Sequence, residues 1–262
     1  MAPPVFVKLG AFLTVFAAVG SASTCPQRNL WTGLEGKTME QHITVGGEER
    51  SYLMHIPQDF LKRDGKVGFV FSFHDQYKDA HHQEGLSSFS NPTYNNKYIA
   101  IYPQALNGTW HPGRSSGGAY NDTSTTNPQD HIFTSAILDK LYATPGLCPD
   151  ETQAYATGMG NGSSFIHHLN CRNIHSHPFT AFASVAGLPQ TLDMTPERCY
   201  GLGIRPLIMI HSTADREFTD LTDTTGTRLP HLSESNLALQ WAVKAGGLIH
   251  DTPNPIVSSW SK

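Results

Sequence analysis

Charged residues are scarce in this chain of 262 residues, and neither sign dominates. Asp, Glu, Lys and Arg together make up 15% of the sequence, and the formal net charge is −4. The sequence pI is near 6.4. Proteins that bind nucleic acid or anionic lipid need a basic surface, which this composition does not supply. We therefore expect no nucleic-acid partner and no membrane partner.

Long apolar runs are also missing. The apolar run 9–19 is too short to span a bilayer, which takes roughly 20 residues. Lys8 precedes it and the small residues 20–23 follow it, in the order typical of a secretory signal. We expect residues 1–22 to be a signal peptide. Residues 23–262 are then one secreted, extracellular domain.

Cysteine is limited to Cys25, Cys148, Cys171 and Cys199. No two of them have the short spacing of a zinc knuckle, so a structural zinc site is excluded. An even number of cysteines in a secreted chain predicts two disulfides. Three pairings satisfy this count, and the sequence does not choose among them.

Histidine is abundant, with 14 residues, but its spacing does not favour a metal site. The densest group runs from Asp75 to Glu84 and includes His81 and His82. Adjacent histidines point in different directions on a helix or a strand, so they are poorly placed to share an ion. We interpret this group as a solvated polar loop. We expect no metal and no cofactor.

Apolar segments along the chain alternate between strand and helix character. Strands are predicted at 42–45, 49–56, 67–73, 98–102, 155–156, 182–186 and 207–210, and helices at 132–142, after residue 162 and at 233–244. The first two strands form a hairpin around Gly46 and Gly47. The alternation predicts an α/β fold with a doubly wound, mostly parallel sheet.

A polar stretch at 108–127 reads as a surface loop. Two sequons, at Asn107 and Asn121, are predicted glycosylation sites in or beside it. A third sequon, at Asn161, lies in a turn that we expect to be too buried for modification.

Residues 158–162 have the pattern of a nucleophile elbow without its serine. A G-x-S-x-G turn between a strand and a helix lifts a serine hydroxyl into a cleft, but the central residue here is Gly160. Glycine has no atom that attacks a carbonyl. Ser163 and Ser164 follow in the first turn of the predicted helix, where the backbone no longer projects into the cleft.

The other parts of a serine hydrolase are incomplete. Asp215 follows a predicted strand, as the triad acid does, although a loop-capping aspartate fits equally well. The oxyanion donors are expected at Asn161 and in the turn at Asp75, where a carboxylate opposes the charge to be stabilised unless it points to solvent. After Asp215 only His231 and His250 remain as bases, and His250 is the weak candidate.

The order of several motifs resembles the feruloyl esterase and acetylxylan esterase group of family-one carbohydrate esterases, with polyhydroxybutyrate depolymerases as relatives. The matching stretches are 50–53, 55–57, 71–74, 102–104, Trp110, Asp130, Phe133, 148–150, 155–159, 161–162, Cys171, 211–215 and 241–242. The resemblance implies a secreted α/β-hydrolase fold that opens plant cell-wall esters through a serine acyl-enzyme. The chain differs at Gly160 and Asp75, and it ends before the family's C-terminal Gly-His segment, so we expect a C-terminally shortened fold.

Two hypotheses follow from the resemblance. In the first, the chain is a catalytically impaired homologue whose cleft binds a plant cell-wall polysaccharide or an aromatic ester through His74, Tyr102 and Trp110. In the second, it is an active ester hydrolase with another nucleophile or an activated water, with Asp75 or Asp215 as base.

Overall fold

The structure is a computed structural model that describes residue 25 and residues 27–63, 65–111, 130–171, 179–187 and 205–212. Several predictions lie outside the described residues: the signal segment 1–22, Asn121, Cys199, Asp215, His231, His250 and the helix 233–244.

Seven strands of the described residues form one mixed sheet. They are β1 (Thr38–Val45), β2 (Glu48–His55), β3 (Val67–Phe73), β4 (Ile99–Pro103), β5 (Pro149–Met159), β6 (Ala181–Val185) and β7 (Leu207–Ile210). The spatial order is β1-β2-β4-β3-β5-β6-β7. The pairs β1–β2 and β2–β4 are antiparallel, and the four remaining pairs are parallel. The predicted N-terminal hairpin and mostly parallel sheet are confirmed.

Helices cover both faces of this sheet, as the doubly wound prediction requires. They are α1 (Ala80–Ser87), α2 (Asp130–Ala143) and α3 (Asn161–Cys171), with short 3-10 turns at Arg28–Trp31, Phe60–Lys62 and Leu106–Gly108. Helices α2 and α3 contribute side chains to the main core, whereas α1 packs on a smaller cluster around Leu53, Ala100 and Tyr102. None of the described helices is long and apolar enough to cross a bilayer.

Helix α1 corrects the interpretation of the polar segment as a loop. The Asp79 side chain caps the helix by accepting a hydrogen bond from the His82 backbone N–H at 2.7 Å. The buried Gln83 donates to the Ser72 hydroxyl on β3 at 2.8 Å. Only Ala80 and Gln83 of this helix are buried, so its sequence carries no apolar stripe from which a helix could be predicted.

A disulfide joins Cys25 to Cys148, immediately before β5. This is one of the pairings that the sequence left open. The side chains of Cys171 and Cys199 lie outside the described residues. The bond ties the N-terminal segment to the end of the sheet opposite the carboxyl end of β5.

A buried ion pair joins strand β2 to the start of α2. The Arg50 guanidinium on β2 donates to an Asp130 carboxylate oxygen at 2.7 Å, and the two side chains are 3% and 0% exposed. Arg50 also donates to the Gln104 carbonyl, and the His111 N–H donates to the other Asp130 oxygen. Burial raises the pKa of Asp130, and the charge of Arg50 opposes that shift.

We expect Asp130→Ala to lower the free energy of unfolding by about 3–5 kcal/mol, because it leaves the Arg50 charge buried without a partner. Urea denaturation followed by circular dichroism measures the loss. Lys62→Ala is the matched control, since it breaks an exposed ion pair with Asp59 and should change stability little. Equal effects of the two variants would contradict the assignment.

Candidate functional site

The carboxyl ends of β3, β5, β6 and β7 lie at the same edge of the sheet, because these strands are parallel. In open α/β sheets this edge is where ligands bind. The residues that follow the strands there are His74, Gly160, Ala186 and His211. The candidate site is therefore built at this edge.

The predicted strand-to-helix turn is present between β5 and α3. Gly160 lies between the two elements with φ +51, in the left-handed region that favours glycine. Its N–H donates to the Val185 carbonyl at 3.0 Å, and its carbonyl accepts from the Ser164 N–H at 3.0 Å. A Cβ on Gly162 would come closer than 3.0 Å to the backbone at Phe73, so the turn is pressed against the end of β3.

The Asp75 carboxylate points into this turn and not to solvent. Its Oδ1 accepts a hydrogen bond from the Asn161 N–H at 2.8 Å and a second from the Gln76 N–H at 2.7 Å. Asn161 is the first residue of α3, so the positive end of the helix dipole also faces the carboxylate. Asn161 is the predicted oxyanion donor. The second N–H that reaches the carboxylate is that of Gln76, which the sequence did not single out.

The same carboxylate occupies the space above Gly160. A Cβ placed on Gly160 would lie within 2.7 Å of Asp75 Oδ1, Cγ and Oδ2. Any side chain at residue 160 therefore requires the Asp75 carboxylate to shift, which disturbs its two hydrogen bonds. Hydrogen bonds to a charged group contribute about 1.5–3 kcal/mol each, so the two positions are energetically coupled.

His74 is buried beneath this site and its ring is held at both nitrogens. Nδ1 lies 2.7 Å from the Asp75 carbonyl, and Nε2 accepts from the Ala105 N–H at 3.0 Å. This arrangement places the proton on Nδ1. Burial lowers the pKa of His74, which keeps the ring neutral. The predicted ligand contact of His74 gains no support, because its surface is closed off by protein.

Trp110 and Tyr102 are buried as well. The Trp110 indole N–H donates to the His74 carbonyl at 2.9 Å, and the Trp110 backbone N–H donates to the Asn161 side-chain oxygen at 2.7 Å. Tyr102 lies in the small cluster beside α1, where its hydroxyl is 3.0 Å from Ser90 Oγ and burial raises its pKa to about 12. The structure gives both side chains packing roles, so their predicted contact with a ligand gains no support either.

A chain of buried polar side chains that sequence reasoning missed lies behind the turn. Ser163 Oγ is 2.6 Å from Ser184 Oγ, which in turn is 2.9 Å from His167 Nε2. All three residues are fully buried, which removes Ser163 as a substitute nucleophile. The Ser164 hydroxyl lies 3.4 Å from the Gly160 carbonyl. Burial, with a smaller contribution from His211, lowers the pKa of His167 to about 4.

Two further predicted sites are placed only in part. Asn107 is exposed in the turn after β4, and its glycosylation stays a prediction. Asp215 and His250 lie outside the described residues, so no catalytic triad is assembled from the part of the chain that the structure describes.

No protein-family model matches the sequence, and no curated protein matches it. Among solved structures, the chain is similar to poly(aspartic acid) hydrolase-1 from Sphingomonas sp. KT-1, with 14% identity, a TM-score of 0.53 and coverage of 81% of this chain and 86% of that chain. It is also similar to an acetyl xylan esterase from Aspergillus awamori, with 14% identity, a TM-score of 0.44 and coverage of 61% and 56%. A ferulic acid esterase is similar with 15% identity, a TM-score of 0.41 and coverage of 58% of this chain and 60% of that chain.

The chain spans less than two thirds of the length of these two esterases. At such identities the similarity shows the fold and no more. The sheet order and the similarity to the poly(aspartic acid) hydrolase-1 structure support the α/β-hydrolase fold that the resemblance implied.

A double-mutant cycle tests the coupling between Gly160 and Asp75. We expect Gly160→Ala to destabilise the protein, both through its left-handed backbone and by displacing the carboxylate. In the double variant Gly160→Ala/Asp75→Ala, the loss of unfolding free energy should be smaller than the sum of the two single losses by about 1–3 kcal/mol. Chemical denaturation of the four proteins gives this difference.

Gly85→Ala is the matched glycine control, since a Cβ there meets no atom within 4 Å on exposed α1. This variant should be neutral or stabilising. Additive losses at residues 75 and 160 would show that the carboxylate does not fill the space above the turn.

The buried His167 predicts a loss of stability in acid. An unfolded histidine titrates near 6.5, and the folded pKa of His167 is about 4. Below pH 6.5 the unfolded chain therefore binds the proton more tightly, and stability falls as the pH drops toward 4, by about 3 kcal/mol from this residue. His167→Asn should flatten the dependence of unfolding free energy on pH between 6.5 and 4. An unchanged dependence would contradict the prediction.

Proposed function

We propose that this chain is an exported homologue of feruloyl and acetylxylan esterases in which Gly160 takes the position of the nucleophilic serine. The protein is impaired in acyl transfer and retains the binding of a plant cell-wall polysaccharide or aromatic ester. Export rests on the signal-like segment 1–22, and the ligand class rests on the order of the motifs shared with the family.

The position of the Asp75 carboxylate is the observation that carries the proposal. Acyl transfer builds negative charge on the substrate oxygen, and removal of one preorganised donor alone costs about 2.7–4 kcal/mol of the barrier. In this chain the N–H groups of Asn161 and Gln76 already bind an anionic side chain. A substrate oxyanion has to displace Asp75 before it can use them.

The turn also lacks a nucleophile, because residue 160 is glycine. In a serine hydrolase, loss of the attacking hydroxyl removes about a million-fold in turnover. The Ser163 hydroxyl is buried against Ser184, and so does not replace it. A water molecule activated by Asp75 is disfavoured, since the carboxylate is held against backbone N–H groups.

An exposed aromatic ring supports the binding part of the proposal. Tyr77 is 79% exposed and lies two residues after Asp75. Its backbone is fixed with φ +58 and by a hydrogen bond from its N–H to the Gly108 carbonyl at 2.8 Å. An exposed ring on a fixed backbone, next to the carboxyl end of β3, offers a flat apolar face for stacking with a sugar or an aromatic acid.

We expect the purified protein to show no turnover of methyl ferulate, acetylxylan or 4-nitrophenyl acetate beyond that of its Asp75→Asn variant. Gly160→Ser should stay inactive, because the new side chain and Asp75 compete for one space. Product release measured by chromatography decides the matter. Turnover that Asp75→Asn or Asp215→Ala abolishes would overturn the proposal.

Binding is tested separately from catalysis. We expect the protein to be retained by insoluble feruloylated arabinoxylan, and Tyr77→Ala to weaken this retention by about fivefold or more, as for loss of a stacking ring. Tyr94→Ala is the matched control, because Tyr94 is 74% exposed but belongs to the loop at the amino end of β4. Equal losses of retention in both variants would show that the ligand does not bind at this edge of the sheet.

A further inference from the structure

Strand β1 ends the sheet on one side, and β2 is its sole strand neighbour among the described residues. In an antiparallel pair, the backbone N–H and C=O groups of successive residues point alternately toward the neighbouring strand and away from it. The Ile56 N–H donates to the Lys37 carbonyl at 3.0 Å, so the odd-numbered residues of β1 face β2. The backbone groups of the even-numbered residues point away from β2 and form the free edge of β1. These residues are Thr38, Glu40, His42 and Thr44.

Two side-chain contacts agree with this direction. Lys140 Nζ donates to the His42 carbonyl at 3.0 Å, and Gln41 Nε2 donates to the Glu40 carbonyl at 3.1 Å. Both contacts are exposed to solvent. Within the described part of the chain, nothing accepts a hydrogen bond from the N–H groups of the free edge. Such a row of unpaired groups is a template for another strand.

The free edge is complementary to a second copy of itself. Two copies of β1 can run antiparallel about a two-fold axis that passes between their Gln41 residues. Glu40 then lies opposite His42 of the second copy, and this pair occurs twice. Thr38 likewise lies opposite Thr44. All these pairs join even-numbered residues, so each pair exchanges two backbone hydrogen bonds.

The side chains on both faces of β1 match in this register. Glu40 and His42 are exposed on one face, where His42 Nδ1 already lies 3.7 Å from a Glu49 carboxylate oxygen. A carboxylate accepts a hydrogen bond from an imidazole N–H whether or not the imidazole is protonated. On the other face Met39 lies opposite Ile43, and both side chains are half-buried against the main core. Opposite-charge and apolar cross-strand pairs both stabilise a sheet.

The adjacent registers lack these pairs. An axis at Glu40 places two carboxylates directly opposite each other, which is destabilising. An axis at His42 places two imidazoles opposite each other. Neither register keeps Glu40 opposite His42, so the axis at Gln41 is favoured.

We propose that this chain forms a homodimer through the free edge of β1, with Gln41 at the two-fold axis. The two sheets join into one continuous sheet, and the exposed contacts of Lys140 and Gln41 with edge carbonyls are exchanged for backbone hydrogen bonds. This inference goes beyond the proposed function, because three strands separate β1 from β5 and its turn.

Sedimentation velocity of the full chain from low to high micromolar concentration measures the assembly. We expect the monomer to convert to a dimer as the concentration rises. His42→Pro removes an N–H of the free edge and keeps the hydrogen bonds to β2, since proline is tolerated where a strand N–H points away from its neighbour. This variant should weaken the dimer by about tenfold or more, as for the loss of two hydrogen bonds per dimer. Circular dichroism shows whether it keeps the native fold.

A cysteine cross-link tests the register without the proline. Opposed residues of a non-hydrogen-bonded pair have Cα atoms about 4.5 Å apart, which a disulfide can bridge. Mild oxidation of Gln41→Cys should therefore give a covalent dimer on a non-reducing gel, with peptide masses that show linkage through residue 41. Thr44→Cys is the matched control. The two residues 44 lie about 20 Å apart in this register and cannot be joined.

A chain that stays monomeric at every concentration would overturn the proposal. A dimer that a folded His42→Pro variant leaves unchanged would overturn it too, as would equal cross-linking of Gln41→Cys and Thr44→Cys. The ester-turnover and retention assays are independent of these results.

Discussion

The contact between the Asp75 carboxylate and the backbone at the start of α3 is the constraint on which the rest of the site depends. One oxygen accepts hydrogen bonds from two N–H groups, of Gln76 and Asn161, that come from distant parts of the chain. The carboxylate group also covers Gly160. A single side chain therefore fills the donors of the turn and excludes any side chain from its tip.

The frame around this contact is held by backbone and by neutral side chains. His74 links the end of β3 to Ala105, and Trp110 joins His74 to Asn161. Since these polar groups are paired within the protein, the geometry of the turn does not depend on a reactive residue. The turn between β5 and α3 is thus held by contacts that involve no nucleophile.

The sequence predicted the strands of the sheet better than the geometry of the site. The bounds of β3 match the apolar run 67–73, because a strand covered on both faces consists of a continuous apolar segment. The bounds of β7 also match the run 207–210, although Ile208 and Ile210 are exposed. Helix α1 was missed because it buries only two residues and depends on the Asp79 cap. The direction of the Asp75 side chain was not predictable, since its partner Asn161 is 86 residues away. The pairing of His167 with Ser184 likewise depends on how α3 packs against β6.

The most direct test of the account is the position of the backbone amide protons of Gln76 and Asn161 in a ¹H–¹⁵N NMR spectrum. Hydrogen bonds to a carboxylate shift amide protons downfield, because they are short and charge-assisted. We expect two downfield resonances that both move upfield in Asp75→Ala, while the Ala105 amide, which donates to His74, stays in place. Two amide resonances that Asp75→Ala leaves unmoved would contradict it.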